Sequence, residues 1–346
     1  MEATGTARGR QATAGERRRR RGERRLVRMV PATMRVGRRR VRYAVSSNVD
    51  DDQAASTSTA DGQPIWAINI HGYFAGGGMY WRESAHLAER FGWRVINPCL
   101  PGFAGSDPFE QAHVGIEDFA AAVLEVLDHV GAGPAVVLGH SMGGAVAMSV
   151  ADLAPERVLG IVYRAGVATP AWRDRRGLIV GLVSAVAPEL AALVDLGVAV
   201  ALDFPDLLIG RHPGSTMRMT FPDATRNLRV TGRLVPIAAM LFRIDQRDQV
   251  ARVAQAGIPV LPEWGCFDRI VTPPTAAEFA GISGHDVVWV PGGHSWMLPR
   301  PQAQADILTH LAAGQTFITD VARRQLLLAH DAGGTATATR SGRHAG

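Results

Sequence analysis

Apolar and polar positions alternate between two rhythms along most of this chain. Short apolar runs at Ile65–Ile70, Arg94–Asn97, Ala135–Leu138, Val158–Tyr163, Val260–Trp264 and Asp286–Val290 predict strands. Apolar residues at helical spacing predict helices over Glu83–Phe91, Ile116–Val130, Ala145–Leu153, Thr275–Ala280 and Gln302–Ala312. Ahead of them, Arg35–Val45 alternates as a twisted hairpin or an edge strand would, and residues 46–63 form a polar loop. Strand alternating with helix means an α/β fold: a mostly parallel central sheet with helices on both faces. In such sheets ligands gather at the carboxyl ends of the strands.

Residues 167–250 break the rhythm. Gly177–Leu202 is apolar but cut by Pro188, Glu189 and Asp195, which rule out a membrane span. A turn-rich passage follows around Arg211–Ser215, then a helical stretch around Leu234–Ile244. So long an excursion from the alternation predicts a helical cap inserted between two strands, with ordinary core helices or an interfacial membrane helix as the other readings. The core then comprises residues 35–166 and 251–313. A tail, 1–34, precedes it, and an extension, 314–346, follows it and frays from 331 onward.

Charge sharpens this division. All 37 basic residues of the 346 are arginine, and the chain contains no lysine. Residues 1–45 carry 15 arginines against three acids, whereas the remainder carries 22 against 29. The tail, with its run Arg17 to Arg21, cannot bury a core and is expected to be disordered. It offers a contact for nucleic acid or an anionic membrane, with a plain solvated tail as the commoner reading. No apolar stretch follows those charges, so no secretory signal is expected, and two cysteines, Cys99 and Cys266, give no disulfide framework. The expected compartment is the cytoplasm. Residues Asp50–Asp52 lack further ligands at metal spacing, and a chain without lysine cannot use a lysine-dependent cofactor. Neither metal nor cofactor is expected.

The sharpest chemical signal is Gly139-His140-Ser141-Met142-Gly143-Gly144, between a predicted strand and a predicted helix. A serine on such a turn needs glycine on both sides, because the backbone is strained and neighbouring side chains would strike adjacent strands. A serine hydroxyl becomes a nucleophile only when a histidine takes its proton and a carboxylate orients the histidine. Asp268, in Trp264-Gly265-Cys266-Phe267-Asp268, lies just beyond one strand, and His294, in Pro291-Gly292-Gly293-His294, just beyond the next. His71, His140, His285 and His310 are the competing histidines.

On these motifs the chain resembles the α/β-hydrolase superfamily, in its capped, esterase-like branch, over roughly residues 35–313. His71-Gly72-Tyr73 resembles the family's oxyanion segment, and Leu100-Pro101-Gly102-Phe103-Ala104-Gly105-Ser106-Asp107 resembles its turn after the following strand. The resemblance implies that Ser141 is the nucleophile, His294 the general base and then acid, and Asp268 the orienting carboxylate, with Asp174 as the rival acid. It implies an oxyanion hole from the backbone N–H groups of Tyr73 and Met142. Phe74 is an alternative donor, because Tyr73–Gly78 is longer and richer in glycine than the usual loop. His71, Gly72, Phe74 and His140 are expected to line the substrate site. Serine rather than aspartate at the turn implies attack on a carbonyl, hence hydrolysis of a carboxylic ester, lactone or thioester of a hydrophobic small molecule. A carbon–carbon bond hydrolase or a cofactor-free perhydrolase would use the same triad, and a non-catalytic binding protein is the reading from another class.

Overall fold

Among the residues described by the computed structural model (27–48, 64–111, 113–174 and 213–341, with Val194, Ala201 and Pro205), the apolar runs form one eight-stranded sheet. Its strands are β1 (Met29–Val36), β2 (Arg39–Ser46), β3 (Trp66–Ile70), β4 (Arg94–Pro98), β5 (Ala135–His140), β6 (Val158–Arg164), β7 (Val260–Gly265) and β8 (Val288–Val290). They lie in the order β1-β2-β4-β3-β5-β6-β7-β8. β1–β2 and β2–β4 pair antiparallel, and every other neighbour pair is parallel. All residues of β3, β5, β6 and β7 are buried, the pattern of strands covered on both faces.

Two apolar layers cover the sheet. On one side lie α2 (Ile116–His129), α3 (Met142–Leu153), α7 (Arg247–Gln255) and α8 (Pro273–Ser283), which contribute Phe119, Val146, Val253 and Phe279. On the other lie α1 (Trp81–Phe91), α9 (Ala303–His310) and α10 (Ala312–Ser341), which contribute Leu87, Leu308, Phe317 and Val321. Among the described residues, three further helices precede α7 between β6 and β7: α4 (Ala171–Asp174), α5 (Pro213–Leu228) and α6 (Thr231–Leu241).

The structure moves several expected boundaries. Residues 29–34, assigned to the tail, form most of β1, in register from Met29↔Ser46 to Val36↔Arg39. Met29 and Met34 are buried there, but the adjacent exposed positions Val30 and Pro31 break the strand period. The passage at Arg211–Ser215 is no loop from 213 onward, where it is part of α5. The core resumes at Arg247 rather than 251, because Val250 and Val253 of α7 are buried against it. The extension does not fray at 331 but continues helical to Ser341, and its first turns bury Phe317 and Val321. Phe317 and Val321 fill the space above Gly160, and Arg324 donates to the carbonyls of Val158 and Pro155 at 2.8 Å each. Gly177–Leu202 and residues 1–26 lie outside the described residues, apart from Val194 and Ala201.

Candidate active site

Four strand ends converge on one place. Between β5 and α3, Ser141 adopts φ 55° and ψ −118°, a conformation L-residues rarely occupy. Its backbone is held on every side: its N–H donates to Arg164 O at 2.9 Å, and its carbonyl accepts from Gly144 N at 2.9 Å and Val167 N at 3.3 Å. A Cβ at Gly139 would strike the Gly143 carbonyl, and one at Gly143 would strike the Ile70 carbonyl. The flanking glycines are therefore steric requirements of the turn.

Beyond β7, Asp268 is buried in a tight turn. Its Oδ1 accepts from the N–H groups of Ile270 and Val271 at 2.8 Å each, which aims Oδ2 outward. His294, in the loop after β8, donates from Nδ1 to that Oδ2 at 2.8 Å. Gly265 lets the two loops meet, because a Cβ there would strike the carbonyls of Gly292 and Gly293. Of the two candidate acids, Asp268 is bonded to His294, and the side chain of Asp174 lies outside the described residues.

The segment after β3 closes the opposite side. Gly72 approaches so near that a Cβ on it would lie 3.1 Å from Ser141 Cβ. Tyr73 and Phe74 are the central residues of a turn closed by Ala75 N–H to Gly72 O at 3.2 Å, with Phe74 at φ 60°. Met142, at the first position of α3, directs its backbone N–H from the positive end of that helix. The Tyr73 phenol donates to Leu234 O at 2.8 Å, and burial raises its pKa.

Two histidines expected against substrate are structural. His71 is fully buried: its Nε2 accepts from Leu100 N at 2.9 Å, so Nδ1 carries the proton and donates to Gly72 O at 2.8 Å. Desolvation lowers its pKa to about 4. His140 donates from Nε2 to the carbonyl of His294 at 3.0 Å and accepts the Tyr80 hydroxyl at Nδ1, 2.7 Å away. Burial, and then the neighbouring His294, push its pKa well below the usual range. With both nitrogens of each ring occupied by protein, neither offers one to a ligand. His140 instead packs on the His294 ring at 4.6 Å and fixes its loop. Gly72 and the half-buried Phe74 remain at the site's edge.

Sequence reading missed the support beneath. Arg164 donates to Glu83 and Asn69 at 2.6 Å each, and Asn69 donates to Glu83 at 2.8 Å, all of it buried. The one available signal was a charged residue at the end of an otherwise apolar strand. Cys99 is buried, its pKa raised to about 11 by desolvation and by Asp223, and Cys266 is exposed. Among the described residues, no group of three or more His, Cys, Asp or Glu is placed to hold a metal ion. No helix among them is long and apolar enough to cross a membrane.

A family model described as the alpha/beta hydrolase fold matches residues 68–301. The chain is 27% identical over 260 residues to a protein of Mycobacterium phage D29 named for non-heme haloperoxidase activity, covering 75% of this chain and 91% of that one. It is also 27% identical over 266 residues to a carbendazim hydrolyzing esterase of Nocardioides sp. (strain SG-4G), covering 70% and 98%. Among solved structures, the 2-hydroxy-6-oxo-6-phenylhexa-2,4-dienoate hydrolase of Rhodococcus sp. strain RHA1 shares the fold with a TM-score of 0.60 at 20% identity, covering 82% and 98%.

Proposed function

Because the chain belongs to the alpha/beta hydrolase fold family, we propose that it is a serine hydrolase that cleaves a carboxylic ester, lactone or thioester of a hydrophobic small molecule through an acyl-serine. The observation that carries this reading is the buried bond from His294 Nδ1 to Asp268 Oδ2, 2.8 Å, beside a serine held at positive φ. That bond sets the tautomer: with the proton on Nδ1, Nε2 carries the lone pair that accepts the Ser141 proton. Ser141 Oγ then attacks the carbonyl carbon, and the oxygen takes up negative charge before the N–H groups of Tyr73 and Met142. His294, now protonated, returns its proton to the departing alkoxide or thiolate. Water repeats the sequence on the acyl-serine and restores the enzyme. Helices α5 and α6 act as the described part of a cap, and the apolar residues of the 167–250 segment favour a hydrophobic acyl group.

Turnover of a p-nitrophenyl ester series from short to long chains, wild type beside Ser141→Ala, tests the reading. An acyl-enzyme burst is expected, with turnover at least about 1,000-fold lower in the variant. Equal rates in both proteins would reject the assignment.

A further inference from the structure

The glycine-rich loop Tyr73–Gly78 has a structural cause: two side chains of α5 enter it. Asn227 is fully buried and donates through Nδ2 to Phe74 O and Ala75 O at 2.9 Å each, while its Oδ1 accepts from Ala104 N at 2.7 Å. One turn earlier, an oxygen of the Asp223 carboxylate lies 2.6 Å from where a Cβ on Gly76 or Gly78 would stand. Its other oxygen accepts from Arg226 at 3.0 Å. Gly77 is held from beneath, where Asn97 Nδ2 donates to its carbonyl at 3.0 Å. Two of these three glycines make room for a carboxylate from a helix far along the chain.

The backbone that Asn227 grips is strained. Phe74, at φ 60°, and Ala104, at φ 48°, are two of the four non-glycine residues with positive φ among those described, and Ser141 is a third. Such a residue persists only where its surroundings hold it. Asn227 bonds to both at once, from a helix about 120–150 residues away in sequence. Its three bonds join the loop beside Ser141 to the turn at Leu100–Asp107 and to α5.

We propose that Asn227 is a positioning residue for the oxyanion loop: by holding Phe74 and Ala104 in their strained conformations, it sets where the loop's N–H groups point. The inference rests on the serine-hydrolase reading of this site. It makes α5 part of the catalytic apparatus rather than a cover alone, so its seating on the loop sets turnover as well as access. Since the donors act on the tetrahedral oxyanion more than on the bound ester, loss of the clamp lowers kcat and leaves KM nearly unchanged.

The test measures kcat and KM on a p-nitrophenyl ester, and the affinity of an alkyl boronic acid that forms a tetrahedral adduct with the serine. It compares wild type, Asn227→Ala, Asn227→Asp and Ser141→Ala. Asn227→Asp is nearly isosteric, retains the acceptor for Ala104 and loses both donors, so it carries the test if Asn227→Ala does not fold. Assays run at 15 °C, with folded fractions fixed by circular dichroism. The expected result in the Asn227 variants is a kcat about 10–100-fold lower, KM within about threefold, and boronate affinity reduced in step with kcat. That loss is part of the roughly 100–1,000-fold effect of removing a whole donor. A kcat within about twofold of wild type, or a lower kcat with boronate affinity intact, would overturn the clamp. Ser141→Ala separates the two levels. If it is inactive while the Asn227 variants match wild type, only the clamp is wrong; if it turns over normally, the hydrolase reading fails and the clamp with it.

Discussion

Gly143 and Gly133 differ only in what surrounds them, and that difference predicts opposite outcomes. A Cβ at Gly143 would enter the backbone carbonyls of Ile70 and His71, at the carboxyl end of the central strand β3, whereas Gly133 has nothing within 4 Å. Gly143→Ala should cost about 1–3 kcal/mol and shift the turn that carries Ser141, so ester turnover falls with stability. Gly133→Ala should be neutral or stabilising by up to about 1 kcal/mol. Urea denaturation of the two variants checks both. The glycines flanking Ser141 were legible in the sequence because their cause is local: a tight strand-to-helix turn that no side chain fits. The roles of His71 and His140 were not legible. A histidine close to Ser141 suggests chemistry, yet each ring nitrogen is occupied by a partner such as Leu100, Tyr80 or the backbone of His294. Those partners lie 29, 60 and 154 residues away, beyond any local pattern.

Helix α10 shows the same contrast one level up. Its polar face and the glycines at 333 and 334 read as a fraying tail, but its first turns lie across β6 and bury Phe317 and Val321. Phe317→Ala removes a ring packed above Gly160 and should cost about 3–5 kcal/mol. Leu327→Ala, 60% exposed on the same helix, should stay within about 0.5 kcal/mol. Denaturation midpoints of the pair decide whether this helix belongs to the folded core. Buried strands and amphipathic core helices were visible at once, because their periods follow from a two-sided environment. β1 and α7 were obscured: Pro31 and two successive exposed positions break the alternation in one, and only two buried valines mark the other.

At the scale of the whole molecule, the sheet encloses charge. Glu263 on β7 is fully buried beside Arg164 on β6, and its Oε1 accepts from Gln304 at 2.8 Å. Desolvation raises its pKa from 4.5 to about 8, with Gln304 and Arg164 only partly opposing it. The folded protein therefore holds this proton more tightly than the unfolded chain, and the stability it brings is lost as pH rises from about 4.5 through about 8. Glu263→Gln carries no such proton. Its stability relative to wild type should improve by a few kcal/mol between pH 5 and pH 9, as measured by urea denaturation at both values. A difference independent of pH would mean that Glu263 does not titrate in the fold. The sequence by itself determined the alternation of strands and helices, the turn at Ser141 and the chain order of Ser141, Asp268 and His294. Period, turn chemistry and strand ends are properties of neighbouring residues. Only the tertiary structure decided that Asp268 meets His294, that His140 braces rather than binds, that Asn227 reaches the loop beside Ser141, and that α10 closes the core. Each of these depends on side chains from distant segments meeting in a dry interior, where burial makes every unpaired polar group costly and so dictates its partner.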